Sequence, residues 1–325
     1  MPYVSFIVGR LVKAALVLLA IVVLNFFLIH MAPGDPAAVM AGEAGATDQQ
    51  FLDDLRERFG LDQPLPVQLW RYVSGVLTLD FGYSYRQQMP VLELILDRLP
   101  ATLLLTGTAF VISLVLGVSA GVLAAMRAKH PSGSLIMVVA LLFYATPLYW
   151  VAMMAVLVFS VLLGWLPAYG YSTVGADYQG LAHVGDVALH LILPATTLGL
   201  FFMAVYTRMT RASMMNAGQQ DFVKTARAKG LAPGVIQRRH VLRNAVLPII
   251  TLAGLQAGQM VGGAVLTETV FAWPGIGRLM YEALMQRDYN LLLGIFFFCA
   301  LLVIVFNMLT DLIYRLADPR IKEAK

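Results

Sequence analysis

The chain has 325 residues, 59% of them hydrophobic and 13% charged, with a formal net charge of +4; soluble domains hold roughly 45–50% apolar and about 25% charged residues. The apolar residues come in uninterrupted runs rather than amphipathic stripes, which argues against a water-soluble fold and for helices solvated by lipid. Lys and Arg sit between the runs, so the positive charge reads as membrane topology and not as a nucleic-acid surface.

Arg10 and Lys13 precede an apolar stretch from Ala14 to Met31. It exceeds the ~7–15 residues of a cleavable signal core and reads as a retained first helix. The predicted spans are 8–31, 101–126, 134–163, 189–209, 246–270 and 291–315, set against the ~20 residues needed to cross a bilayer. The fold class is therefore an all-α integral membrane protein, one transmembrane domain over 1–325 with six helices.

A large outer segment, 32–100, follows the first span. Thr47 or Asp48 can cap a short helix with Phe51, Leu52, Leu55 and Phe59 on one face and Gly60 at its end. The segment also keeps Trp70, Tyr72, Phe81, Tyr83 and Tyr85. It reads as a small packed lid rather than a disordered loop.

In the second span Ala109, Ser113, Gly117 and Gly121 recur every four residues, and in the fifth so do Gly254, Gly258 and Gly262. Small-xxx-small ridges let helix backbones approach in lipid; they also suit smooth faces that slide in a pore. The third span is too long for a straight crossing, and Pro147 in its middle permits a kink that absorbs the excess, as tilt also would. Thr196, Thr197, Gln256, Gln259 and Thr267 offer hydroxyls and amides that can wet a passage.

Charge sets the orientation. The amino terminus, the 127–133 turn, the 210–245 loop with its flanks and the tail hold 16 Lys and Arg, and the opposite segments hold 7. Both termini and the basic loop are expected in the cytosol.

Catalytic readings find little. The histidines at 30, 130, 183, 190 and 240 are scattered, with no H-E-x-x-H pair and no G-x-S-x-G elbow. Cys299, the sole cysteine, lies in an apolar run and reads as a small buried hydrophobe, so no thiolate metal site is expected. An ion-coupled carrier usually places a charge near the bilayer centre. Here Glu268 falls at the outer end of the fifth span and Asp311 near the inner end of the sixth, where both can be hydrated. A passive channel or a carrier remains the rival of another class.

The 210–245 loop carries the most information. Asp221 can cap a helix over Phe222, Val223, Lys224, Thr225, Ala226, Arg227, Ala228 and Lys229, with Gly230 as the left-handed residue that ends it, and a second helix can start at Pro233. A basic loop lying on anionic lipid is one reading. A compact plug exposing Phe222 and Ala226 to a protein socket is the better one.

The run from Asp221 to Leu231, followed by Arg243-Asn244-Ala245-Val246-Leu247-Pro248, resembles the EAA loop of ABC-importer permeases. It is similar more narrowly to the peptide, nickel and glutathione branch, in its B-type permease, where Lys224-Thr225-Ala226 stands in place of Glu-Ala-Ala and Pro248 falls late after Gly230. Phe81-Gly82-Tyr83-Ser84, Arg98-Leu99-Pro100-Ala101-Thr102-Leu103, Leu163 to Gly170, Glu268 to Gly277 and Asp318-Pro319-Arg320 resemble the same branch in order along the chain.

The resemblance implies a type I ABC-importer fold in a bacterial inner membrane. It also implies a second homologous permease as heterodimeric partner, two cytosolic ATPases and an extracytoplasmic binding protein. The cargo it suggests is di- or oligopeptides, with glutathione, nickel complexes and opine- or sugar-like solutes as alternatives. Coupling to the ATPases is expected at Asp221, Phe222, Thr225, Ala226, Arg227, Lys229, Gly230 and Leu231, and the passage or its helix packing at Ser113, Gly117, Pro147, Thr196, Thr197, Gly254, Gln256, Gly258, Gln259 and Gly262. The chain has no G-x-x-x-x-G-K-[ST] phosphate loop, so no cofactor is expected on it; ATP and Mg belong on the partner ATPases.

Overall fold

The computed structural model describes residues 2–31, 49, 53, 62–84 and 86–317. The helix expected to start at Thr47 or Asp48, Tyr85 and the Asp318-Pro319-Arg320 tail lie outside the described residues. The helices in chain order are α1 (Pro2–Met31), α2 (Leu65–Leu77), α3 (Val91–Met126), α4 (Pro131–Ala145), α5 (Leu148–Ala155), α6 (Leu181–Ala217), α7 (Asp221–Ala228), α8 (Pro233–Val270), α9 (Ile276–Gln286) and α10 (Tyr289–Ala317). The α5 helix continues as a π-helix over Val156–Leu162, and α8 is π-wound over Ile236–Val241. A two-residue hairpin, β1 (Tyr83–Ser84) against β2 (Met89–Pro90), precedes α3. Among the described residues, five helices are long and apolar enough to cross a membrane, or six if α4 and the α5 segment count as one broken span.

Three helices run well past their apolar stretches: α3 has 36 residues, α6 has 37 and α8 has 38. At 1.5 Å per residue each spans about 54 Å or more, far beyond the ~30 Å hydrocarbon core. Hydropathy marks only the part in lipid, whereas the backbone stays helical until a breaker stops it. Pro100, Pro194 and Pro248 lie inside these helices without ending them.

The third span departs further from expectation. Pro147 does not merely kink it; α4 and the Leu148–Leu162 segment meet at 100°. The cause is local. Thr146 takes the extended conformation (ψ 133°) that a following proline imposes, and Pro147 (ψ 131°) stays outside both helices. Neither 15-residue piece, at about 22 Å, crosses the ~30 Å core alone.

The chain folds as two compact units. The first comprises residues 1–100 and 275–304. Its core is built from Val22, Val76, Phe81, Val91, Ile95, Ile276, Leu279, Leu291 and Ile295. Phe81 meets Phe297 and Phe298 with ring centroids 5.2 and 5.6 Å away. A Cβ on Gly294 would stand 2.6 Å from Val91 Cγ1, so only glycine allows that approach. The buried Asp288 accepts a hydrogen bond from Ser84 and another from the Leu291 N–H (3.1 Å), capping the start of α10. α2 is tied to α1 by His30 with Gln68 (2.9 Å) and by Phe26 stacked on Tyr72 (6.0 Å). From α2 onward the segment before α3 is packed, although Trp70 stands 69% exposed.

The second unit comprises residues 101–274 and 305–325, with α6 and α8 in the most extensive helix contact. Its core includes Leu105, Leu198, Tyr206, Met260 and Trp273. The small-residue ridge of the second span packs here: a Cβ on Gly117 would lie 2.5 Å from Tyr206 Cβ, and one on Gly121 would lie 2.5 Å from Thr210 Cβ. Gly121→Val is therefore expected to overpack the contact and cost about 1–3 kcal/mol. Gly262→Ala, with nothing within 4 Å of the added methyl, should be nearly neutral. Thermal unfolding in detergent should separate the two, a lower Tm for the first alone.

Candidate functional site

The loop between α6 and α8 holds the most defined local geometry. Gln220, in extended conformation (φ −72°, ψ 156°), is the N-cap of α7. Asp221 is thus the first helical residue and not the cap. Its carboxylate pairs with Lys224 at 2.8 Å on an exposed surface, and it favours the helix by sitting at the positive end of the dipole. Thr225 Oγ1 donates to the Asp221 carbonyl at 3.1 Å.

The helix ends in a full Schellman motif: Gly230 N–H reaches the Arg227 carbonyl (2.9 Å) and Leu231 N–H reaches the Ala226 carbonyl (3.3 Å). Gly230 supplies the left-handed residue at φ +73° with open space around it. The expected cap glycine is where the sequence placed it.

The buried face of α7 corrects one expectation. Ala226 is 4% exposed and packs with Val223, Ile236, Val241, Ala245 and Met214. It anchors the loop to α6 and α8 and is not part of an exposed plug. Phe222 is half-buried and lines a groove of about 510 Å³ with Ser213, Asn216, Asn244 and Pro248. The outward surface is formed by Thr225, Arg227, Ala228, Lys229, Gly230 and Leu231. Val223 was missed as an anchor; its spacing of three from Ala226 was the available signal.

The residues offered for a passage separate into two groups. Ser113, Gly117, Gly254 and Gly258 are buried between helices. Ser113 Oγ donates back to the Phe110 carbonyl (2.8 Å), and a Cβ on Gly254 would overlap Thr310. Gln256 is also buried, 6% exposed, whereas Gln259 and Gly262 are exposed. Thr251, Leu255, Gln259, Gly262 and Leu266 form the open stripe of α8 at spacings of three and four. Thr196 and Thr197 line a mainly apolar groove of about 620 Å³ beside the α4–α5 break, next to Thr146 and Trp150. Thr196 Oγ1 donates to the Ile192 carbonyl at 2.6 Å. Pro147 shapes that groove by breaking the helix.

Glu268 also differs from expectation. It is wholly buried, not hydrated, and its carboxylate accepts a hydrogen bond from Thr102 at 2.7 Å. Trp273, equally buried, donates its indole N–H to the Ala101 carbonyl at 2.8 Å. A second Schellman motif ends α8, with Ala272 N–H to the Thr269 carbonyl (3.3 Å) and Trp273 N–H to the Glu268 carbonyl (2.9 Å). Here the left-handed residue is Ala272 at φ +50°. Composition gave no sign of this anchored turn.

Residues 117–323 match the family described as binding-protein-dependent transport system inner membrane component, and residues 3–106 match its N-terminal counterpart. The chain belongs to this permease family. It is 37% identical to the dipeptide transport system permease protein DppB of Alkalihalophilus pseudofirmus, over 98% of this chain and 99% of the relative. The di/tripeptide transport system permease protein DppB of Pseudomonas aeruginosa is 38% identical, with 99% of each chain covered. The glutathione transport system permease protein GsiC of Escherichia coli is 37% identical, over 98% of this chain and 99% of the relative. Among solved structures, the inward-facing MetNI methionine ABC transporter superposes with a TM-score of 0.57 at 17% identity, covering 69% of this chain and 96% of the other. That likeness establishes an ABC-importer permease fold. The permease is thus a multi-pass component of an ATP-driven, binding-protein-dependent importer of the inner membrane, a transport protein and not an enzyme by family.

The two faces of α7 give a direct test. Ala226→Glu buries a carboxylate among apolar neighbours and should loosen the loop at a cost of several kcal/mol, read as faster proteolysis between residues 210 and 245. Thr225→Glu, on the exposed side, should leave the proteolysis rate unchanged.

Proposed function

We propose that the permease forms one half of a translocation pathway for di- and oligopeptides, paired with a second homologous permease and served by two cytosolic ATPases and a binding protein. The observation that carries the coupling half of this reading is α7: a short helix closed by Gly230, anchored inward by Val223 and Ala226 and presenting Thr225, Arg227, Ala228, Lys229 and Leu231 outward. Such a rigid knob, built on the first turns of α8, suits insertion into a groove of an ATPase. The peptide assignment is supported by 37–38% identity, over nearly the full length, with permeases named for dipeptides and di/tripeptides; the relative named for glutathione, itself a tripeptide, fits the same chemical class.

In this reading the chain crosses the membrane six times, the α4–α5 pair counting as one broken crossing. The segment 32–100 lies outside, and both termini and the 210–245 loop lie in the cytosol. The excess of Lys and Arg on the loop side supports that orientation. ATP and Mg belong to the ATPases, and this chain contributes mechanical coupling. Closure of the ATPases moves α7, and α8 carries the movement into the membrane.

Two measurements test the proposal. A cysteine at Gln63 should label from outside intact cells and one at Gln219 should not; the reverse pattern would overturn the orientation. Gly230→Val meets no steric obstacle but strains the backbone by roughly 1–3 kcal/mol, and Thr225→Glu alters the outward face alone. Both variants should insert normally, recover less ATPase on purification and lose most ATP-dependent dipeptide uptake. Full assembly and uptake in both would remove α7 from the coupling role.

A further inference from the structure

A groove of about 300 Å³ runs between α4 and α6, away from α7 and from the open stripe of α8. Ala140 and Ala204, 2% and 8% exposed, form its floor because their side chains are too small to fill the space between the helices. Val138, Leu141 and Tyr144 form one wall and are 52%, 58% and 48% exposed, so the trough opens outward along an apolar face. Tyr144 stacks on Phe201 (5.4 Å), which lies seven residues before Arg208 on α6. Met137 lies seven residues before Tyr144 on α4. Two turns, about 10 Å, therefore separate the aromatic end of the trough from an end that Met137 and Arg208 line. Arg208 is exposed and makes no hydrogen bond or ion pair among the described residues.

We propose that this groove holds one acyl chain of an anionic phospholipid, with Arg208 pairing its phosphate. An apolar trough ending in an unpaired guanidinium at the end of a membrane span matches that ligand in both parts. The hydrocarbon covers Ala140 and Ala204, and the planar guanidinium meets phosphate oxygens in bidentate fashion. A zwitterionic lipid fills the trough equally well but brings its own cation beside Arg208, which predicts headgroup selection without chain selection. The site does not depend on which solute the permease carries.

The test is native mass spectrometry of the purified permease complex after exchange against equimolar dioleoylphosphatidylglycerol and dioleoylphosphatidylcholine. Each copy of the permease should retain phosphatidylglycerol over phosphatidylcholine by about fivefold, the worth of one arginine near an anionic lipid surface. Arg208→Gln should abolish the preference, and Val138→Trp, on the exposed lip, should reduce lipid retention altogether. Arg127→Gln, an exposed cation outside the groove, should change neither. Absence of headgroup preference in the parent, or its equal loss in Arg127→Gln, would overturn the proposal. So would a disulfide between Leu141→Cys and the second permease subunit, since it would make the groove a protein interface.

Discussion

Lipid gives membrane helices no hydrophobic reason to associate, so the second unit of the permease depends on how closely its backbones can approach. Three glycines set that distance. Gly117 and Gly121 on α3 and Gly199 on α6 lie where a single added carbon would stand 2.5 to 2.8 Å from the opposite helix. At such spacing dispersion acts along the whole contact, and the neighbouring side chains become wholly buried: Tyr206, Leu105, Ala109 and Leu198. α6 thereby becomes a wall against which α8, α4 and α5 pack.

Helix ends in this protein are fixed as firmly as its helix contacts. Gly230, Ala272 and Arg287 each take the left-handed position of a Schellman motif, at φ of 73°, 50° and 56°. In two of the three the residue is not glycine, and the strained backbone persists because its surroundings hold it. Trp273 is pinned on the Ala101 carbonyl after the first of these, and Asp288 caps α10 after the second. Unsatisfied helix-end carbonyls are costly near lipid, which explains why turns that look irregular in sequence are closely bonded in the fold.

Much of this was legible in the residues themselves. Apolar runs located the spanning helices, Gly230 and Pro233 located the end of α7 and the start of α8, and the four-residue glycine spacing located the tight contact of α3. What escaped has physical causes. Periodicity cannot tell which face of an eight-residue helix is inward until its neighbours are known, so nothing in the residues alone marks Ala226 as buried. A charge near a span end, such as Glu268, normally reaches water; tertiary packing with Thr102 buries it instead. Pro147 announced a distortion but not its size, since the 100° turn depends on Thr146 and Pro147 both leaving the helical region.

The anchored turn after α8 and the α7 knob gain meaning from what joins them. α8 is one 38-residue helix, about 57 Å long at 1.5 Å per residue. Its first turns carry the packing surface of α7, where Ile236 and Val241 meet Val223 and Ala226. Its last turns hold Glu268 on Thr102 and lead into Trp273. Along its length it is softened at two places: the π-wound stretch Ile236–Val241 in those first turns and the missing N–H of Pro248. Both lie near the cytosolic end in the proposed orientation, so α8 resembles a stiff rod hinged close to the point where the proposed mechanism applies force. Beyond Pro248 the open stripe from Thr251 to Leu266 is presented by an unbroken helix, and in the proposed mechanism a displacement of α7 shifts that whole face together. In the proposed mechanism such a lever needs no charged residue in mid-membrane, because the driving free energy would arrive through packing at one end and be resisted by hydrogen bonds at the other.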